Sequence, residues 1–269
     1  MSARRRAHPP GQSPLSGLIE QWKATQIEMR RKLIVRPLDP LPRFIAGADA
    51  AFSEDKKKVL AAAVVYDRDE KRIVEIVHAT RPIEYPYIPT FLSFREGPTV
   101  LDALRALRHE FGAVMFDGQG YAHPRRCGLA SHMSITLDVP GVGVAKSRLI
   151  GTFEDPKGRA GSSAPLINKD EQIGLVLRTR DATRPLFISI GHKVDLDSAS
   201  RLVLACCNRY RIPEPTRQAD IEVAKLKREV GDESNARADA GHSFSGGPQG
   251  RVITCPSSAE MQPHPAGGR

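Results

Sequence analysis

The sequence predicts an α/β fold with a mixed central sheet, in which three antiparallel strands are followed by parallel strands and helices flank the sheet. Three apolar segments in the first third of the chain are separated only by short charged turns, a pattern that favours antiparallel hairpins. Farther along, apolar segments alternate with segments of helical periodicity. This alternation favours helical crossovers between parallel strands.

The first helix is expected over residues 15–33, where apolar residues recur imperfectly at helical spacing. Three strands follow, at residues 44–52, 59–66 and 73–78. Residues 98–111 carry apolar side chains on one helical face, at Leu101, Leu104, Leu107 and Phe111. A helix should therefore cross over before the strand at 113–117 and make that strand parallel to an earlier one.

The second half continues the alternation. We expect a helix at 128–136, a strand at 142–146, a hairpin of 173–178 with 186–189, and helices at 197–210 and 216–229. One catalytic domain, of a size usual for an α/β unit, should span residues 15–230. Residues 1–14 and 231–269 are expected to be disordered, since the tail is rich in Gly, Pro, Ser, Ala and charge.

The composition favours a polyanionic partner. Lys and Arg total 40 against 31 Asp and Glu, a formal net charge of +9, so binding to such a partner should weaken with salt. No run of about 18 apolar residues and no signal-peptide pattern occurs, so we expect a cytoplasmic protein with no membrane contact. The four cysteines form no Cys-x-x-Cys pair, which argues against zinc and disulfides.

Three carboxylates stand in positions suited to chemistry. Asp117 closes an apolar strand and a glycine-rich turn follows it, although Asp-Gly is also common in ordinary turns. Asp49 lies among very small residues in a buried strand, where a charge is costly unless it is paired or metal-bound; a strand-end cap is the alternative. Glu96 precedes a helix, and taken alone it is better explained as an N-terminal helix acid.

Several separated motifs together resemble the endonuclease V family, deoxyinosine-directed nucleases of the RNase H-like superfamily. The resemblance covers roughly Leu15 to Glu229. The motifs are the Asp49 strand, Pro86-Tyr87-Ile88-Pro89, Phe94-Arg95-Glu96-Gly97-Pro98, Asp117-Gly118-Gln119-Gly120, His123-Pro124-Arg125, Gly128-Leu129-Ala130-Ser131-His132, Gly143-Val144-Ala145-Lys146-Ser147 and Pro213-Glu214-Pro215-Thr216-Arg217. The resemblance implies an RNase H-like fold, in agreement with the strand order.

The resemblance also implies a catalytic set. Asp49 and Asp117 would be ligands of Mg²⁺, with Mn²⁺ as a substitute, and Glu96 a ligand directly or through water. Lys146 would stabilise transition-state charge, with a solvent-exposed strand-end lysine as the alternative. Asp220 stands where many members have His; we assign it to the site against the alternative of a helix-surface acid.

The remaining matched positions imply substrate contacts. Tyr87, Ile88 and Pro89 resemble a wedge that enters the nucleic acid where a base is extruded. Leu92, Gly128 and Ala145 match the base pocket, and His123 is expected to bond a phosphate or water nearby. Two positions depart from the family pattern: Thr90, usually Gly, and Ser163-Ala164, where an aromatic is common. We expect Thr90 to be tolerated if its φ is negative.

These assignments predict a monomeric, divalent-metal endonuclease. It should nick DNA at the second phosphodiester on the 3′ side of deoxyinosine, with inosine-containing RNA as a further candidate substrate, in the repair of deaminated adenine. One alternative is a structure-directed nuclease with little base preference, which Thr90 suggests. Another is a nucleic-acid-binding module whose metal site has decayed, against which the intact acids and Lys146 argue.

Overall fold

A computed structural model of the chain describes residues 14–239. The predicted disorder of the N-terminus and of residues 240–269 falls outside these described residues. The helices are α1 Pro14–Arg31, α2 Leu92–Arg95, α3 Gly97–Arg105, α4 Leu129–Leu137, α5 Leu196–Ala205 and α6 Glu214–Asp239. The strands are β1 Phe44–Phe52, β2 Lys58–Asp67, β3 Arg72–Pro82, β4 Ala113–Phe116, β5 Gly141–Ala145, β6 Ser163–Asn168, β7 Glu171–Leu177 and β8 Leu186–His192.

The eight strands form one mixed sheet in the order β3-β2-β1-β4-β5-β8-β7-β6. The first three strands are antiparallel neighbours, β4 is parallel to β1, and β5 is parallel to β4. The hairpin of β7 and β8 is antiparallel. The predicted fold class, the parallel fourth strand and this hairpin are therefore confirmed.

Alternate side chains of the strands point to opposite faces of the sheet and bury two separate cores. Ala46 and Ala61 belong to the apolar cluster formed with α3 and α4. Their neighbours Ile45 and Leu60 point the other way, toward α5 and toward Val223 of α6. Helices α3 and α4 thus cover one face, and α5 and α6 cover the other.

Strand β6 was not predicted from the sequence. It contains Pro165, which has no N–H for a strand ladder and which lowers the apparent strand propensity of the segment. The strand lies at the edge of the sheet and pairs only with β7 among the named strands, so the missing donor can be tolerated.

Two helices end earlier than predicted, and in both cases a tertiary contact draws the chain away. After α3 ends at Arg105, the buried Glu75 carboxylate accepts hydrogen bonds from the backbone N–H groups of Arg108 and His109. After α5 ends at Ala205, the carbonyl of Arg209 accepts a bond from Arg180 on the β7–β8 loop. Neither contact can be predicted from the spacing of apolar residues along the helix, because each joins residues far apart in the sequence.

Helix α6 extends to Asp239, beyond the predicted helix end at Glu229, so residues 231–239 of the predicted tail are helical. The cysteines within the described residues are free thiols: Cys127 and Cys206 are buried, and Cys207 is partly buried. Within residues 14–239, no helix has both the length and the apolar content needed to cross a membrane.

Candidate active site

Four elements bring charged side chains together at one edge of the sheet. Asp49 lies on β1, Asp117 directly follows β4, Lys146 directly follows β5, and Asp220 lies on α6. The Lys146 Nζ is 2.6 Å from Asp117 Oδ2 and 3.3 Å from Asp220 Oδ2. The ammonium therefore joins a strand-end acid to a helix acid, while the side chains of Lys146 and Asp220 remain 41% and 52% exposed.

The docking of α6 depends on a glycine in β1. A Cβ added at Gly47 would lie 2.1 Å from the carbonyl oxygen of Pro215, in the first turn of α6. Only a residue without a side chain permits this approach. The contact places Asp220 beside Asp49, whose side chain points to the same face of β1 as Gly47 would.

Asp49 lies inside β1, opposite Ala62 of β2, so it is not a strand-end cap. Its Oδ1 accepts a hydrogen bond of 2.9 Å from the backbone N–H of Ala50. Burial raises the pKa of Asp49 to about 8, and the negative charges of Asp117 and Asp220 add to the rise. A bound cation would reverse this effect, since it stabilises the ionised carboxylate.

Glu96 lies at the junction of α2 and α3 and is only 8% exposed. It occupies the N-cap position of α3, but its side chain makes no capping hydrogen bond, which weighs against a purely structural role as a helix acid. Burial raises its pKa to about 8, and Asp117 adds to the rise while Arg95 opposes it. Asp117 is thus close enough to Glu96 to disfavour the ionised form of Glu96.

Among residues 15–232, no three His, Cys, Asp or Glu side chains are arranged as a ready-made metal cage. Mg²⁺ seldom uses such a cage: it is usually held by one or two carboxylates, with water and substrate phosphate completing its octahedron. Asp49 and Asp117 provide two hard oxygen donors that repel one another electrostatically without a cation. The donor set at this edge therefore fits a magnesium ion held by two carboxylates.

A cavity of about 380 Å³ opens beside these acids. Asp117 and Lys146 line it together with residues assigned to substrate contact from the sequence, namely Tyr87, Leu92, His123, Gly128 and Ala145. Ile88 and Pro89 do not line it, although they adjoin its wall in the loop that carries Tyr87. The cavity is large enough for a nucleobase and, of the four acids, Asp117 lines its wall.

Gln119 also lines the cavity, a role that the sequence did not indicate. Its Nε2 donates to the carbonyl of Ser147 at 2.9 Å, whereas its buried Oε1 has no partner. A buried acceptor without a donor is costly, so this oxygen is suited to accept from a ligand. The only sequence signal was its place in the Asp-Gly-Gln-Gly turn.

The loop that carries Tyr87 is anchored by an aromatic cluster. Trp22 of α1 stacks on Phe94 with ring centroids 4.8 Å apart, and it also contacts Phe91 and Tyr85. Tyr87, by contrast, is 61% exposed. A loop that is anchored at its ends and carries an exposed aromatic ring at its tip has the properties expected of a wedge.

Thr90 has a φ of 71°, so the condition under which we expected it to be tolerated, a negative φ, is not met. A left-handed conformation is unusual for a β-branched residue. Three side chains hold its carbonyl oxygen: Gln26 at 3.1 Å, His123 at 3.0 Å and Arg125 at 3.0 Å. Arg125 also donates to the Thr90 hydroxyl at 2.6 Å, and these bonds explain how the loop keeps this backbone path.

The ring nitrogens of His123 both have protein partners, the Thr90 carbonyl and the Arg125 N–H. Burial lowers the pKa of His123 to about 4, so the ring is neutral at physiological pH. Its predicted contact with phosphate or water stays a prediction. His132 and His192 bond Ser93 and Asp138 respectively, in agreement with structural roles.

Comparison with known proteins gives a consistent result. The Endonuclease V family model matches residues 27–221. Endonuclease V of Roseiflexus sp. (strain RS-1) is 45% identical over 202 residues, which cover 75% of this chain and 90% of that protein. The crystal structure of Endonuclease V from Streptomyces avermitilis is 41% identical and superposes with a TM-score of 0.75, covering 78% of this chain and 93% of that one.

A second similar solved structure is Endonuclease V of Ciona intestinalis, in complex with a 24mer DNA containing an inosine followed by a ribo-adenosine. It is 27% identical, has a TM-score of 0.71, and covers 80% of this chain and 99% of its own.

Proposed function

The chain belongs to the endonuclease V family and is a hydrolase that cuts within nucleic acid, and we propose that it nicks DNA at the second phosphodiester 3′ to deoxyinosine. The observation that carries this proposal is the cavity of about 380 Å³ that opens beside Asp117 and Lys146. A pocket of base size next to groups suited to phosphodiester chemistry fits an enzyme that extrudes one base and cuts nearby.

Inosine is favoured by the pocket chemistry and by the relative solved with inosine-containing DNA. Hypoxanthine presents an O6 acceptor and an N1–H donor, whereas adenine presents the reverse pair. The unpartnered Oε1 of Gln119 could accept from the N1–H group, whereas adenine N1 has no hydrogen to donate. Inosine-containing RNA presents the same base edge and is a second candidate substrate.

Asp49 and Asp117 would hold Mg²⁺, or Mn²⁺ in its place, with Glu96 as a further ligand directly or through water. When bound, the ion would neutralise phosphoryl charge and lower the pKa of a water molecule. Asp49 and Glu96 would each release the proton that their raised pKa retains without the ion. The Lys146 ammonium would then face the phosphate, because Asp117 would share its charge with the ion.

Lys146 and Asp220 complete the proposed catalytic set. The Lys146 Nζ, on the cavity wall, would stabilise negative charge that develops on the phosphate. Asp220, whose side chain is 52% exposed, would orient Lys146 or a water molecule. Since the described chain supplies all of these groups by itself, we also propose that a monomer is active.

The decisive experiment compares matched DNA and RNA oligonucleotides, with and without one inosine, in Mg²⁺. We expect a nick in the inosine-containing strand with a 3′-hydroxyl and a 5′-phosphate. Asp117→Asn should lower cleavage by about 10³-fold or more and leave binding largely intact. Asp155→Asn, a change of an exposed acid outside the site, is the control and should retain activity.

The alternatives give different results in the same assay. Equal cleavage with and without inosine would indicate a structure-directed nuclease. Binding without cleavage in Mg²⁺ and in Mn²⁺ would indicate a decayed binding module. Asp117→Asn activity within tenfold of the parent would refute the proposed metal site.

A further inference from the structure

Four arginines gather where the β7–β8 loop meets the segment between α5 and α6. We define the arginine patch as Arg180, Arg184, Arg209 and Arg211. Arg180 Nη1 donates to the Arg209 carbonyl at 2.8 Å, and Arg211 Nη1 donates to the Arg184 carbonyl at 3.3 Å. The two segments are thus joined by hydrogen bonds from the guanidinium group of one patch arginine to the backbone carbonyl of another.

The patch adjoins the candidate active site. Strand β8 begins at Leu186, immediately after the loop, and Phe187 pairs with Ala145, the residue before Lys146. The N-terminal end of β8 therefore lies at the same edge of the sheet as the acids. Asp117 is close enough to favour the charged form of Arg211 and so to raise its pKa, although burial, the largest effect, lowers it.

The charge of the patch is not neutralised within the described residues. Elsewhere arginines pair with acids, as Arg43 does with Asp67 and Arg81 with Asp102. None of the four patch arginines makes an ion pair within residues 15–232. The single acid of the loop, Asp181, instead accepts a bond from the backbone of Ala160.

Arg211 is partly buried and lies close to the positive charge of Arg184. Its pKa is lowered by burial and by the positive charge of Arg184. Like charges placed this close favour an anion between them. The two segments hold the four arginines close together, and no acidic side chain of residues 15–232 pairs with them. The patch is therefore suited to bind an external anion.

An exposed aromatic ring adjoins these charges. Tyr210 is 49% exposed, and the Arg217 guanidinium lies 4.2 Å from its ring centroid. Glu214 holds Arg217 in place through a contact of 2.6 Å. Exposed rings among basic side chains are typical of surfaces that bind single-stranded nucleic acid.

The location decides which part of the substrate would reach the patch. The base pocket is lined by Leu129 of α4, on one face of the sheet, whereas the patch lies beside α5 and α6 on the other. The acids lie between them. A nucleic-acid strand with one base in the pocket and the next phosphates at the acids would therefore continue onto the patch.

We propose that the arginine patch binds the phosphates of the substrate strand on the 3′ side of the cut. This proposal rests on the proposed function, because the 3′ direction follows from a cut 3′ to the base in the pocket. Arg180, Arg184 and Arg209 are exposed and supply mobile charge, while Arg211 holds the loop through its carbonyl contacts.

The test uses the triple variant Arg180→Gln, Arg184→Gln and Arg209→Gln, which keeps Arg211. The matched control is Arg36→Gln, Arg105→Gln and Arg108→Gln, which removes the same charge from exposed arginines without a described ion pair. These control residues lie toward the opposite edge of the sheet: Ile34 bonds His192 at the end of β8, and Gly112 bonds Phe44 at the start of β1.

Binding is measured by fluorescence anisotropy without divalent metal, on single strands whose 3′ flank is about 4 or about 16 nucleotides and on a mirrored 5′ series. The parent and the control should bind more tightly when the 3′ flank is lengthened. The patch variant should lose that gain, and its slope of log Kd against log salt should fall by about 2, since three phosphate contacts contribute about 0.7 each. Its far-ultraviolet circular dichroism spectrum should match that of the parent and show that the variant is folded, although loss of the Arg180 bond to the Arg209 carbonyl should lower its melting temperature slightly.

Three results would overturn the proposal: an unchanged gain from the 3′ flank in the patch variant, a loss confined to the 5′ series, or an equal loss in the control. Because flank dependence is a binding measurement made without divalent metal, it can be read on inosine-containing strands that are not cleaved. The failure of inosine-dependent cleavage would therefore refute the proposed function and leave the patch result interpretable.

Discussion

At the scale of single residues, the site is a set of charges that compensate one another incompletely. Lys146 neutralises part of the charge of Asp117 and Asp220, whereas Asp49 and Glu96 are buried with raised pKa values. Carboxylates in this state favour any cation that can enter. The same residues thus explain both the unfavourable electrostatics of the site and its suitability for a metal ion.

The raised pKa of Glu96 predicts how stability changes with pH. The folded chain holds a proton on Glu96 up to about pH 8, while the unfolded chain has already lost it, so stability falls as the pH rises toward 8. Asp49 should contribute in the same direction. His123 and His132, with pKa values of about 4, are neutral in this range and do not interfere.

The measurement is the melting temperature of the metal-free protein between pH 7.0 and pH 8.5, two values set on either side of the folded pKa of about 8. Glu96→Gln cannot ionise and should show a smaller decrease than the parent over this interval. Equal decreases in both proteins would contradict the assignment. Added Mg²⁺ should raise the melting temperature of the parent most at the higher pH.

Thr90 is a second residue whose behaviour can be predicted. Thr90→Val keeps the shape and the left-handed φ but removes the hydroxyl that Arg125 bonds, at a cost of about 1.5–3 kcal/mol. Thr90→Gly loses the same bond but also relieves strain of about 1–3 kcal/mol, so its stability should stay close to that of the parent.

The corresponding functional readout is the ratio of kcat/KM for inosine to that for adenosine in one sequence context. The parent and Thr90→Gly should both prefer inosine, because the Thr90 carbonyl keeps its three donors. A ratio near one in the parent that Thr90→Gly does not restore would eliminate the base-pocket interpretation while leaving the nuclease assignment intact.

At the scale of elements, the site depends on how α6 and the loop of residues 85–90 are held against the sheet. Helix α6 approaches β1 at Gly47, and this contact brings Asp220 to Lys146. The loop is held by Trp22 and by the donors to Thr90, and it leaves Tyr87 exposed. The two elements differ in their packing: α6 must pack closely on β1 to position Asp220, whereas the tip of the loop must stay exposed for Tyr87 to contact nucleic acid.

Gly47→Ala tests the first of these contacts. The added methyl group would lie 2.1 Å from the Pro215 backbone, so α6 must shift, at a cost of about 1–3 kcal/mol. Activity should fall further than stability, since the shift separates Asp220 from Lys146. Gly158→Ala is the control, because nothing lies within 4 Å of its added Cβ. Unchanged activity in Gly47→Ala would show that the position of α6 is unimportant.

Tyr87→Ala tests the second element. The exposed ring should be needed only where a base pair must be opened, so affinity for inosine in a duplex should fall much more than affinity for the same single strand. The comparison is made by anisotropy on both substrates in parallel. Val35→Ala, which truncates an exposed apolar side chain outside the site, is the control and should leave both affinities unchanged. Equal losses on both substrates in Tyr87→Ala would assign Tyr87 another role.

At the scale of the whole molecule, the sheet separates two functions of the proposed binding surface. The face covered by α4 carries the base pocket, and the side of α5 and α6 carries the arginine patch, with the acids at the shared edge. Part of the positive charge is therefore local: four arginines without an ion pair among residues 15–232 lie together beside the acids. Attraction of the polyanion and cleavage of one phosphodiester are thus served by neighbouring surfaces.

Truncation after Asp239 is the prediction that belongs to this scale. Residues 240–269 contain few large apolar residues, so their removal should leave the melting temperature and kcat close to those of the full chain. Truncation after Val230, by contrast, removes the helical residues 231–239 and should lower the melting temperature. Calorimetry on the two truncated proteins distinguishes these outcomes, and equal stability of both would contradict a role for the end of α6.

The sequence by itself determined most of the elements, because the spacing of apolar residues along the chain is a local property. It identified strand β1 to the residue and predicted the parallel placement of β4. It also supplied the residues of the proposed catalytic set, through the family resemblance of motifs that each span only a few positions. It missed β6, where Pro165 weakens the local signal, and the end of α3, which the distant Glu75 captures.

Only the tertiary structure decided how these residues meet. The pairing of Lys146 with Asp117 and Asp220 depends on the strand order and on the approach of α6 to Gly47. The φ of Thr90 is held by donors from two distant segments, and the arginine patch joins two loops. No local pattern encodes such contacts, because the distance between residues far apart in sequence is set by the packing of the elements that carry them.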